Sequence, residues 1–147
     1  MIYLYISELH LSLGYYIDFT NNKKKECGNF IVANNTINQN GGNGIRLLFA
    51  NFTNISNNNI TTYGLSEMEG FKCGIDGDKL GSNTIILGNK IGNPTVENIT
   101  AEQGVNLKCT YGNTMICNNM FTWLSGTSVT CGNSSTNNTI SNNISLT

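Results

Sequence analysis

Proline occurs once, at Pro94, histidine once, at His10, and tryptophan once, at Trp123. A single histidine, placed in an opening segment unlike the rest of the chain, leaves no nucleophile–base–carboxylate arrangement to assemble. Charge is also scarce: charged residues make up 12% of the 147 positions, with 8 Lys and Arg against 9 Asp and Glu, which is about half the usual share. With no basic patch and near-neutral balance, nucleic acid is excluded as a partner. The one basic run, Lys23, Lys24 and Lys25, follows Asn21 and Asn22 and reads as a solvated turn. Long hydrophobic runs are missing too. The opening MIYLYISELHLSLGYYIDF is broken by Glu8 and His10 and has neither a basic n-region nor a small-residue cleavage motif, so it is read as neither signal peptide nor membrane span. Instead Leu9, Leu11, Leu13, Tyr15, Ile17 and Phe19 fall two apart, which puts them on one face of an extended strand.

Asn is the commonest residue, followed by Gly, Thr and Ser, while Ile, Leu, Val, Phe and Tyr are spread regularly along the chain. That spread supplies core and argues against disorder. The Asn residues sit in a repeat. Five phrases, VANNTI, ISNNNI, ILGNKI, ICNNMF and TISNNI, end at Ile37, Ile60, Ile91, Phe121 and Ile144, in steps of 23, 31, 30 and 23 residues. Aligned on that final apolar residue, they give an Asn column of Asn35, Asn58, Asn89, Asn119 and Asn142. A second landmark, GIRL, GIDG and GVNL, begins at Gly44, Gly74 and Gly104. From that Gly to the next phrase the distance is nearly constant, so extra length enters only between Ile60 and Gly74 and between Ile91 and Gly104. One corner absorbing insertions while the rest keeps register is the behaviour of a solenoid, in which each coil packs only on its neighbours.

Short segments rich in Ile, Val, Phe and Thr, punctuated by Asn and Gly, read as strands, and no stretch keeps a helical stripe. The expected fold is therefore all-β: a parallel β-helix of about five to six short coils, over residues 29–147, with residues 1–28 as an N-terminal strand or cap. Like residues then stack in columns about 4.8 Å apart. The N-x-I-x-x-N-x-I and G-I-x-L pattern resembles the right-handed parallel β-helix repeats of the pectin-lyase-like superfamily. That resemblance implies the fold, and it implies no single activity, because lyases, hydrolases, epimerases, adhesins and phage tailspikes share the scaffold.

Acidic residues cluster at Glu67, Glu69, Asp76 and Asp78, and the repeat sets Arg46, Asp76 and Asn106 in one column. Carboxylates at that density are candidate ligands for an ion such as Ca²⁺ or for another ligand; the alternative is a solvated loop with an Arg46–Asp76 surface pair. The superfamily's catalytic motifs are absent, so no catalytic residue, cofactor or resident metal is assigned. Cys27, Cys73, Cys109, Cys117 and Cys131 contain no CxxC pair, which removes the usual zinc spacing. Cys109 and Cys131 stand 22 apart, near one coil length, and are a disulfide candidate; buried free thiols are the competing reading. N-x-S/T sequons at Asn34, Asn51, Asn54, Asn59, Asn98, Asn133, Asn137 and Asn143 permit glycosylation. Trp123 is a candidate for stacking on a sugar ring, with packing as its alternative. The ending TISNNISLT stays in the repeat, so coils are expected to continue or to stack on another subunit, a contact that does not close and yields a filament. The leading reading is a non-catalytic structural or adhesive module of an extracellular or cell-surface protein, self-associating as a homo-oligomer or end to end. The rivals are a polysaccharide-active enzyme, whole or in part, and a carbohydrate-binding module without turnover.

Overall fold

The computed structural model describes residues 4–6, 10–11, 17–20, 27–38, 42–48, 50–65, 72–80, 83–95, 101–108, 110, 112–132 and 137–146. Every strand pairing among them is parallel, and none of them is helical. The chain visits three sheets in turn and then repeats the circuit. Its first coil is β1 (Leu4–Ile6), β2 (His10–Leu11) and β3 (Ile17–Thr20); the second is β4 (Cys27–Ala33), β5 (Thr36–Asn38) and β6 (Ile45–Leu48). The third is β7 (Ala50–Ser56), β8 (Asn59–Thr61) and β9 (Cys73–Asp78), and the fourth β10 (Thr84–Leu87), β11 (Lys90–Gly92) and β12 (Gln103–Leu107). The fifth is β13 (Thr114–Cys117), β14 (Met120–Thr122) and β15 (Val129–Cys131), followed by β16 (Asn138–Ser141) and β17 (Ile144–Leu146).

Each strand pairs with the strand three places on, giving a first sheet of β1-β4-β7-β10-β13-β16, a second of β2-β5-β8-β11-β14-β17 and a third of β3-β6-β9-β12-β15. This stacking of coils is consistent with a parallel β-helix. Two details of the sequence reading change. The opening segment is not one strand: Leu11 lies in β2 and Ile17 and Phe19 in β3, strands of different sheets that pair in register with β5 and β6, while Leu9, Leu13 and Tyr15 lie outside the described residues. A two-residue period runs on through several short strands as readily as through one long one, so alternation alone does not find the corners. The boundary placed at residue 29 falls inside β4, which pairs with β1 on one side and β7 on the other.

The core lies between the sheets. Val32, Ile55, Ile86 and Ile116 come from the first sheet, Ile37, Ile60, Ile91 and Phe121 from the second, and Ile45, Ile75 and Val105 from the third, all at most 1% exposed. They form one apolar cluster, with each aliphatic side chain contributing about 1.5–3 kcal/mol by burial. Columns persist because register does: Ile37, Ile60, Ile91 and Phe121 are direct neighbours rung by rung. The glycine landmark has a steric cause. A Cβ on Gly74 would run into the Ile91 side chain and lie 2.9 Å from the Gly104 carbonyl oxygen, and one on Gly104 would overlap Phe121. Only glycine lets the corner before the third sheet come this close to the core.

That same corner holds the length differences. Between the second and third sheets the chain runs from Asn38 to Ile45 and from Thr122 to Val129, but from Thr61 to Cys73 and from Gly92 to Gln103 in the two middle coils. The strands on either side keep their pairing, because insertions at a corner leave the ladders untouched.

Candidate functional site

Two polar constructions stand out, one inside the first corner and one on the third sheet. At the corner between the first and second sheets, two consecutive residues take different jobs. The first bends the chain: Asn34, Asn57, Gly88, Asn118 and Asn142 have φ of 61°, 55°, 65°, 55° and 54°, a left-handed backbone that Asn and Gly tolerate best. The next residue faces inward and bonds along the stack. Asn35 Nδ2 and N donate to Asn58 Oδ1 at 3.0 and 2.9 Å, and Asn58 repeats both bonds to Asn89. Asn89 repeats them to Asn119, and Asn119 to Asn143. Each Nδ2 also donates to a core-strand carbonyl, as Asn89 does to Ile55 at 3.0 Å.

The fifth member is thus Asn143, and Asn142 belongs to the bending column. The sequence alignment missed by one because it matched Ile144 to Phe121, whereas Ile144 pairs with the outward-facing Met120 and Ser145 takes the Phe121 position. The last step is 24 residues.

On the third sheet, register places Arg46, Asp76, Asn106 and Thr130 side by side on successive rungs. Asp76 is the centre. Its Oδ1 accepts from Asn106 Nδ2 at 2.9 Å, and its Oδ2 accepts from Asn43 Nδ2 at 3.4 Å. Arg46 Nε and Lys108 Nζ approach Oδ2 at 3.9 and 3.8 Å from the rungs on either side. The Asp76 side chain is 6% exposed, against 46% for Arg46 and 39% for Lys108, so two half-solvated cations screen one buried carboxylate. Asn43 also fixes the preceding corner, its Oδ1 accepting from Cys73 N at 2.9 Å. Sequence reasoning had Arg46 and Asp76 but overlooked Asn43 and Lys108. Lys108 was findable, because it lies two residues beyond Asn106, just past the end of β12, where the strand's alternation would put it on the same side.

Asp78 lies half-buried on the same strand as Asp76, beside Leu48 in register. Glu67 and Glu69 lie outside the described residues. Among the described residues no three His, Cys, Asp or Glu side chains group closely enough to hold a metal ion. Trp123 is half-buried at a corner with φ 48°, its carbonyl accepting from Asn93 Nδ2 at 2.8 Å. Cys131 is a free thiol that pairs in register with Leu107; its candidate disulfide partner Cys109 lies outside the described residues. Cys73 and Cys117 are buried free thiols. Burial, reinforced by the Asp76 charge, pushes Cys73 up to about 12, so it stays a neutral thiol at physiological pH and a poor nucleophile. Burial likewise raises Cys131 and Tyr63, whose hydroxyl donates to the Gln103 carbonyl at 2.6 Å.

No protein-family model, curated protein or solved structure matches the chain. Among the sequons, Asn34 and Asn137 are exposed, Asn51, Asn54 and Asn59 are half-buried, and Asn143 is held in the ladder; Asn98 and Asn133 lie outside the described residues. No helix among the described residues is long and apolar enough to cross a membrane.

Proposed function

We propose that the chain is a right-handed parallel β-helix serving as a non-catalytic structural or adhesive module of a surface or extracellular protein. The observation that carries this reading is the state of Asp76. A general base or metal ligand needs a carboxylate oxygen facing its substrate or ion. Both Asp76 oxygens are instead taken up by Asn106, Asn43, Arg46 and Lys108, and its side chain is 6% exposed. The two cations beside it, Arg46 and Lys108, are engaged with this same carboxylate. What remains is a face that fastens neighbouring rungs together.

The test is incubation of the protein with polygalacturonate and Ca²⁺, followed for unsaturated chain ends, with Asp76→Asn in parallel. Neither protein is expected to release product, and the variant is expected to lower only the unfolding midpoint. Product formation by the native chain that Asp76→Asn abolishes would establish the enzyme reading in its place.

An extracellular module would carry glycan only at sequons that a transferase can reach, and Asn34 and Asn137 are exposed. Peptide mass spectrometry of native material is expected to find glycan on Asn34 or Asn137 and none on Asn143, whose Nδ2 donates to the Ile116 carbonyl at 3.0 Å. Glycan on Asn143 alone would contradict the ladder. End-to-end stacking belongs to the same proposal, since one rung's pairing pattern is repeated by the next; species that grow with concentration in sedimentation support it, and a single monomer boundary counts against it.

A further inference from the structure

Two Asn–Gly pairs occur in the sequence, at 40–41 and 43–44, and Asn40 lies outside the described residues. Asn followed by Gly is the dipeptide most open to deamidation, because no side chain shields the glycine nitrogen from the neighbouring side-chain amide. At position 44 the glycine is dictated by packing: a Cβ there would overlap Ile60 and lie 2.7 Å from the Gly74 carbonyl oxygen. The asparagine before it is not dictated. In the next two coils the residue ahead of the landmark glycine is Cys73 and then Gln103, and the two pair in register without an amide of this kind.

The fold holds the two reacting groups apart by tying both to β9. Gly44 N donates to the Cys73 carbonyl at 3.0 Å. The Asn43 side chain reaches the same strand, its Oδ1 accepting from Cys73 N at 2.9 Å and its Nδ2 donating to Asp76 Oδ2 at 3.4 Å. Before Gly44 N can attack Asn43 Cγ, the side chain must leave β9 and turn back on its own backbone. The contact to Asp76 is long for a hydrogen bond and Asn43 is only half-buried, so the corner gives way in local opening more readily than the core.

We propose that Asn43–Gly44 is a spontaneous deamidation site latched shut by β9, and that its conversion irreversibly loosens the joint between the second and third coils. In the open corner Gly44 N bonds to Asn43 Cγ, the nitrogen's proton passes to solvent, and Nδ2 departs as ammonia to leave a cyclic imide. Water then opens the ring at either carbonyl, giving aspartate or isoaspartate. One water is consumed and one ammonia released, and nothing is oxidised or reduced. Aspartate sets a negative oxygen where an N–H faced Asp76 Oδ2, whose side chain is 6% exposed, and two carboxylates so placed repel. Isoaspartate lengthens the main chain by one carbon just ahead of β6, whose pairing with β9 begins at Ile45. Either product strikes a single joint, because each coil packs only on its neighbours. This chemistry calls on no ligand or partner, and it stands whether or not the chain has the surface role proposed above.

The experiment is incubation of the full chain in mildly alkaline buffer, with and without denaturing urea, followed by peptide mass spectrometry that locates aspartate and isoaspartate at position 43. Conversion is expected to be at least about tenfold slower in the folded chain, the ratio reporting how seldom the corner opens. Asp76→Ala removes the acceptor of Asn43 Nδ2 and is expected to speed conversion in the folded chain at least about threefold. Ile116→Ala, at a fully buried position of the fifth coil, lowers stability far from this corner and is expected to leave the rate at 43 unchanged. Asn43→Asp carries the charge of one product; it is expected to lower the urea midpoint, and to lower it less in an Asp76→Asn background. Circular dichroism confirms that each variant folds. Equal rates with and without urea, no conversion in the unfolded chain, equal acceleration by Ile116→Ala and Asp76→Ala, or an Asn43→Asp chain as stable as the native one overturns the proposal.

Discussion

At the scale of single residues, the ladder turns a compositional oddity into a stability argument. Asn89, 1% exposed, accepts from both nitrogens of Asn58 and donates to Ile55 and Asn119. Truncating it leaves several buried polar groups without partners, each costing about 1–3 kcal/mol. Asn89→Ala is therefore expected to lose about 3–5 kcal/mol in urea unfolding, and Asn142→Ala, at the exposed bend, less than about 1 kcal/mol. Equal losses would mean the two columns do not divide the work. The sequence displayed the doubled Asn of four of the five phrases but not the division, because where both neighbours are Asn only the backbone tells them apart. A second residue-level expectation concerns Cys73. Its folded value is raised from 9.0 to about 12, so the native state holds a proton that the unfolded chain releases first. Stability from this group is fully present below pH 9 and falls as pH rises from 9 toward 12. Urea midpoints at successive pH values within that window should decline less steeply in Cys73→Ala than in the native chain.

Elements tell a different story, because their boundaries depend on register and not on composition. Constant spacing from Gly44, Gly74 and Gly104 to the next phrase was legible, and it corresponds to the ladders joining β6, β9 and β12 and then β7, β10 and β13. The division of the opening into β1, β2 and β3 was not legible, since a two-residue alternation does not mark where one short strand gives way to the next. The charged site was half legible for a related reason: a column alignment finds Arg46 and Asp76, whereas Asn43 reaches Asp76 Oδ2 from one rung back and one corner away. The elements also differ in tolerance. Two glycines inserted after Thr95, at the corner that already varies in length, are expected to cost under about 1 kcal/mol. A single residue inserted between Ile85 and Ile86 would turn the buried Ile86 outward and misplace the pairing of β10 with both neighbours, costing more than about 3 kcal/mol or preventing folding. Thermal or urea midpoints of the two insertions decide it; similar losses would contradict fixed register.

For the whole molecule, the consequence of a stack is that energy is shared between adjacent coils and hardly beyond them. Long-range strand contacts join each strand to its neighbours in the same sheet, so stability approximates a sum of coil and interface terms. The Asn ladder allows this to be measured, since it runs unbroken through Asn35, Asn58, Asn89, Asn119 and Asn143. Asn58→Ala and Asn89→Ala remove groups that bond each other, so once one is gone the second removal has less to lose. Their double variant should fall short of additivity by about 0.5–3 kcal/mol. Asn35→Ala and Asn119→Ala share no bond and are separated by two further rungs, so their losses should add to within about 0.5 kcal/mol. Equilibrium unfolding of the four single and two double variants gives both coupling energies directly. If the distant pair coupled as strongly as the adjacent one, the ladder would be acting as a single cooperative rod and the nearest-neighbour picture of the stack would fail.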